Sequence, residues 1–117
     1  MDFIDPAMPV LSYLERSFSD KAKSFRAFKT EAGAPLPSVR VKTVGSSTLQ
    51  LIVRADDDIE AFTLCTEFAN YLKRNGNQID GINIFDLRLQ TPIYPSIDED
   101  TKKDEAWCYL SINYFEN

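Results

Sequence analysis

The sequence predicts an α+β domain: a mainly antiparallel sheet of about four strands with helices packed on it, in the order α-β-β-α-β-β. Three observations carry this reading. Two stretches, around Met8–Phe18 and Ile59–Arg74, place apolar residues at helical spacing. Four stretches alternate apolar and polar residues, and short turn signals join them in pairs. The balance of 44% hydrophobic and 26% charged residues is that of a chain that folds around a core. The 117 residues read as a single domain, 1–117, with enough apolar content to bury roughly two-thirds of the unfolded surface.

Asp5-Pro6 is a helix start: the carboxylate accepts from amides of the first turn, and proline loses nothing there. Pro9 still falls in that turn. Met8, Leu11, Leu14 and Phe18 form the apolar face. A second short helical piece is expected to carry Ala22, Phe25 and Phe28. The breaker segment Gly33–Pro37 leads into alternation at Val39, Val41 and Thr43, with Arg40 and Lys42 opposite. Gly45-Ser46-Ser47 is the turn. Leu49, Leu51 and Val53 share the returning face, and Ile52 on the other face implies partial cover there as well.

Asp56, Asp57 and Asp58 open the second helix. Asp57 caps it and Glu60 reaches back, with acidic groups at the positive end of the dipole. Phe62, Cys65, Ala69 and Leu72 line one side, widened by Leu64, Phe68 and Tyr71. Asn75-Gly76 is expected to end the helix through left-handed backbone. Asp80-Gly81 turns into a strand in which Ile82 and Ile84 have one parity and Phe85, Leu87 and Leu89 the other. That switch predicts a β-bulge near Ile84–Phe85. Pro92 and Pro95 end regular pairing or mark an edge. The last strand begins near Ala106, with Cys108, Leu110, Ile112 and Tyr114 on one face and Trp107, Tyr109 and Phe115 on the other.

The chemistry expected of this chain is limited. It contains no histidine, the commonest general base and metal ligand. No glycine-rich phosphate loop is present. The net charge of −5 disfavours sequence-independent binding to nucleic acid. The densest basic stretch, Lys21, Lys23, Arg26 and Lys29, reads as one solvated helix face. Cys65 and Cys108 are expected to be buried, unbridged thiols in unrelated patterns. Asp98 and Asp100 imitate the start of a calcium loop, but Lys102, Lys103 and Tyr109 stand where a ligand, a glycine and a bidentate Glu belong. The stretch Asp98–Glu105 is instead expected to be a solvated, mobile hairpin loop, with a contact element that orders when a partner binds as the alternative. The opening residues do not resemble a signal peptide, and no apolar stretch approaches the roughly 18–20 residues of a membrane span. The expectation is a soluble intracellular protein without catalytic, metal or cofactor residues.

The order of elements resembles the tail-terminator (tail completion) proteins of long-tailed bacteriophages. The resemblance rests on three features: the N-terminal amphipathic helix before a Pro-bounded strand; Leu49-Gln50-Leu51-Ile52-Val53-Arg54 running through an acidic cap into the helix Ile59–Arg74; and a long hairpin of Ile82–Leu89, a Pro-containing middle and Trp107–Tyr114. It covers most of the chain without a signature motif. It implies a structural virion protein, assembled in the bacterial host cytoplasm as a homo-oligomeric ring with six copies expected. The ring would sit at the head-proximal end of the tail tube, contacting the tube protein and the head connector, with DNA passing through the lumen. The expected contacts are Ile52, Trp107, Tyr109 and Phe115, for which packing under a helix of the same chain is an equal alternative, with Asp98, Glu99, Asp100, Lys102, Lys103, Asp104 and Glu105 of the second hairpin. The alternative is a cytosolic regulatory or ligand-binding α+β domain, dimeric through its sheet.

Overall fold

The computed structural model describes residues 5–27 and 32–115. Helix α1 spans Ala7–Phe18 and α2 spans Asp58–Asn75. Six strands follow in chain order: β1 Ser24–Arg26, β2 Ser38–Gly45, β3 Thr48–Ala55, β4 Asn83–Leu89, β5 Tyr94–Ile97 and β6 Asp104–Phe115. They form one sheet in the order β1-β2-β3-β6-β4, with β5 also paired to β6. The α+β class and the sheet with helices packed on it agree with the sequence reading. The strand count and order differ: β1 stands where a second helical piece was expected and pairs with β2 in parallel, in a sheet whose other pairings are antiparallel, and β5 follows the predicted third strand, β4, as an additional strand.

The start of α1 follows from local chemistry. The Asp5 carboxylate accepts from the Ala7 amide at 3.0 Å and also from the Thr43 hydroxyl. One side chain thus caps the helix and ties it to β2. Ala7, Val10, Leu11, Leu14 and Phe18 are buried. Met8, expected on that face, is 48% exposed, and Val10 takes its place. After Phe18 the chain does not continue as a second helix. Ala22 and Phe25 are buried, but Phe25 belongs to β1, opposite Val39. Phe28 lies outside the described residues. Lys21 and Lys23 therefore precede an edge strand that includes Arg26, rather than lining a helix with it, and Lys29 lies outside the described residues.

The first hairpin is as predicted, with Val39, Val41, Leu49, Leu51 and Val53 fully buried. Asp57 caps α2 by accepting from the Glu60 amide at 2.7 Å. The buried side of α2 is Ala61, Cys65, Phe68, Ala69 and Leu72. Phe62, assigned to that side from its spacing, is 44% exposed. The helix ends without left-handed backbone: Gly76 has φ −55 and starts a 3-10 turn, Gly76–Gln78. The approach at Gly76 is close: a Cβ there would lie 3.1 Å from Cβ of Leu87, which would have to give by a few tenths of an ångström. At the Asp80-Gly81 turn, by contrast, φ of Gly81 is +89, where glycine has no steric penalty.

The register of β4 against β6 shifts between Ile84 and Asp86. This bulge lets both Ile84 and Leu87 face the core while Phe85 turns outward, 62% exposed. Beyond the Pro92 interruption, β5 resumes the same edge of β6, with Pro95 in it. An edge is where a strand tolerates proline. Buried residues of both helices join one cluster with Val41, Leu51, Cys108, Leu110 and Ile112. Both helices thus lie on one face of the sheet. Each fully buried Leu or Ile in that layer contributes about 1.5–3 kcal/mol.

Candidate functional site

The side chains on the opposite, outer face are aligned by the register. Ser24, Ser38, Arg54, Glu105 and Ser96 stand in one cross-strand row. Arg26, Arg40, Ile52, Trp107 and Tyr94 stand in the next. Trp107 packs on Tyr94 with ring centroids 5.0 Å apart and meets Tyr109 edge-on at 5.3 Å. Ile52, beside Trp107, is only 5% exposed although it does not belong to the main core. Trp107 and Tyr109 are half-buried. Phe115, at the far end of the same face, is 62% exposed and packs on Phe85 at 4.9 Å.

Arg54 is the electrostatic centre of this face. Its side chain is 7% exposed, with Nε 2.9 Å from Glu105 and Nη2 3.4 Å from Asp98. The Asp98 carboxylate also accepts from the amide and hydroxyl of Thr101, at 2.8 and 2.7 Å. These two bonds, with Arg54 beyond them, hold its carboxyl below the usual carboxylate range. The Asp98 amide donates to the Lys103 carbonyl, and the Lys102 amide to the Asp98 carbonyl. The stretch read as a long hairpin loop is thus a hydrogen-bonded turn, with Asp104 and Glu105 already in β6. Lys102 adopts φ +60 to close it. Glu99, Asp100, Lys102 and Lys103 are exposed at its surface, and Nζ of Lys103 lies 3.8 Å from Asp56.

At the edge formed by β5 and the start of α2, large apolar side chains are open to solvent. Ile59 is 74% exposed, Phe62 44% and Ile97 62%. A hollow of about 260 Å³ beside them is lined by Asp58, Ile59, Phe62, Thr63 and Pro95. Sequence reading did not single out this patch. The signal was present in Ile59, which stands six residues before Cys65 and so roughly 120° away around the helix. A second hollow, of about 310 Å³, lies at the end of α2 and is lined by residues including Lys73, Arg74, Asn77 and Phe85.

Among the described residues, three buried side-chain polar atoms have no hydrogen-bond partner: Oγ of Ser24, Oγ of Ser38 and Nε of Arg40. Ser24 and Ser38 face each other across β1 and β2, and Arg40 is the next outer-face residue along β2. Burial lowers the pKa of Arg40, and Arg54 adds to that effect, while Glu105 and Asp98 oppose it. Among the described residues, no group of three or more His, Cys, Asp or Glu could hold a metal ion.

Cys65 and Cys108 are unbridged and fully buried. Their sequence patterns are unrelated, yet α2 and β6 bring the thiols together. A hydrogen bond with Cys108, reinforced by burial, pushes the Cys65 thiol far above its ordinary range. Protonated, buried thiols are poor nucleophiles. Alkylation of the native protein without reductant should label neither cysteine, and alkylation after unfolding should label both. A linked peptide pair in the mass spectrum would contradict this. No protein-family model matches the chain, and no curated protein matches it.

Proposed function

We propose that this protein works by self-association, as a ring-forming structural component of the kind the tail-terminator resemblance implies. In that role it caps the head-proximal end of a tail tube and offers a surface to the head connector. The observation that supports self-association is the open apolar edge of β5 and α2. Ile59, Phe62 and Ile97 lie outside the core cluster, and large apolar side chains exposed near one edge are what a contact surface offers. The aromatic outer face, ending in Phe115, is a second surface suited to contact.

The deciding experiment is the mass of the wild-type assembly in solution across a concentration series, together with negative-stain images. The expected result is a closed ring of several copies. A chain that remains monomeric throughout would remove the basis for this reading. It would favour the alternative, a ligand-binding α+β domain, for which the basic hollow at Lys73 and Arg74 is the supporting feature.

A further inference from the structure

We infer that two copies of this chain pair through β4, antiparallel about a two-fold axis at Leu87, so that Leu89 of each copy enters the hollow beside β4 of the other. This goes beyond the ring reading. It uses neither the β5–α2 edge nor the aromatic outer face, and the contact is isologous, with the same patch on both sides.

β4 is the last strand on its side of the sheet. In an antiparallel ladder, alternate residues turn their N–H and C=O toward the neighbouring strand. The Gln90 amide donates to the Tyr109 carbonyl of β6. Gln90 and Arg88 therefore face β6, while Leu87 and Leu89 turn their main-chain groups to the side where no strand follows. The other edges offer less, since β1 has three residues and Pro95 removes a donor from β5. An added strand completes a row of this kind. The bulge at Ile84–Asp86 twists the edge, which discourages indiscriminate pairing, but it also opens a socket for one particular strand.

The side chains of β4 select the occupant and its register. Asp86 and Arg88 share the outer face, with Nη2 of Arg88 3.0 Å from the Asp86 carboxylate and the Arg88 side chain 68% exposed. A two-fold axis at Asp86 or at Arg88 would set like charges directly opposite. An axis at Leu87 instead sets each Asp86 opposite Arg88 of the other copy, and gives the Leu87 main-chain groups each other as partners. It also sets Leu89 opposite Phe85. Leu89 pairs with the fully buried Leu110, so its side chain is on the helix side, where it is 39% exposed. The bulge turns Phe85 outward, and the helix side at that position is left to the hollow of about 310 Å³, whose lining includes Gly76, Ile84 and Leu87. Each Leu89 thus has a socket on the other copy. Lys73 and Arg74 at its rim can cover a leucine with their stems while their charges stay in water. The hollow is in this way assigned to a second copy rather than to a small ligand.

Charge reversal tests the pairing. Arg88→Asp and Asp86→Arg each set like charges opposite one another, so either variant alone should self-associate about tenfold more weakly than the wild type in sedimentation. An equimolar mixture of the two should form a one-to-one pair, because opposite charges then meet at both positions. Far-UV circular dichroism checks that each variant folds. In the wild type, the Leu87 and Leu89 amides should exchange with solvent more slowly as the protein is concentrated, and this measurement decides if a variant does not fold. If the wild type and both variants associate alike, the β4 contact is overturned and the ring reading stands. Variants that are each weakened but do not pair when mixed overturn the two-fold register. A wild type that forms a pair and nothing larger, lost in each variant, upholds the β4 contact and overturns the ring. A monomeric wild type overturns both. Amide exchange at Leu87 and Leu89 that does not change with concentration in an associating wild type also overturns the β4 contact.

Discussion

Replacing Phe68 by Ala should destabilise the fold by about 3–5 kcal/mol. The side chain is fully buried on α2, and its ring lies 4.8 Å from that of Phe18 on α1. It therefore bridges the two helices above the sheet. Truncation removes buried apolar area and leaves a cavity that two helices and a sheet cannot collapse to fill. Chemical denaturation should show a lower midpoint with an unchanged slope, and Phe68→Leu should lose much less. A Phe68→Ala loss below about 1 kcal/mol would mean that the site relaxes freely, contrary to the packing described.

Arg54→Ala should have a comparable effect, also about 3–5 kcal/mol, for a different reason. The cost comes less from the lost attraction than from what remains. Glu105, with a side chain 12% exposed, and Asp98, at 23%, would stay as carboxylates without their shared cation. Arg54→Lys should rescue only part of the loss, because a single ammonium cannot serve two carboxylates in the fork geometry of a guanidinium. The double change Arg54→Leu/Glu105→Leu should be milder than Arg54→Ala alone. Equal losses in all three variants would show that the ion pairs are incidental. The pH dependence has a defined sign. The folded-state pKa of Asp98 is lowered, chiefly by Thr101. Its contribution is therefore complete above the unfolded carboxylate value of about 3.9 and is lost as pH falls through the lower folded value.

The elements that could be read from the chain are those whose burial is one-sided. The β2–β3 hairpin alternates cleanly, α2 announces itself with an acidic cap, and the parity switch at Ile84–Phe85 foretold the bulge. Strand β1 could not be read. Ser24-Phe25-Arg26 is too short to show a period, and Ala22 with Phe25 at a spacing of three imitates a helix. Its pairing depends on a segment twelve or more residues away. The candidate site was legible only in part. Trp107, Tyr109 and Phe115 were placed on the outer face, where they lie. Arg54 looked like an ordinary solvent-facing residue because nothing local reveals that Glu105 and Asp98 converge on it. The expected long loop is a turn because Thr101 and Lys103 close it on Asp98, a hydrogen-bond pattern that charge composition does not disclose. The meeting of Cys65 and Cys108 is likewise a product of how α2 lies across β6.

The place of β6 in the sheet has a consequence for the order of folding events. It pairs with β3 along one side and with both β4 and β5 along the other, yet it follows all of them in the chain. Until it inserts, the β2–β3 hairpin is one fragment, and β4 and β5 have no strand to pair with. Neither part can complete a hydrophobic face alone. Insertion closes loops spanning much of the chain in a single event, so the entropy of that closure falls on the rate-limiting step. The protein should therefore acquire its native sheet late and cooperatively rather than by adding strands one at a time.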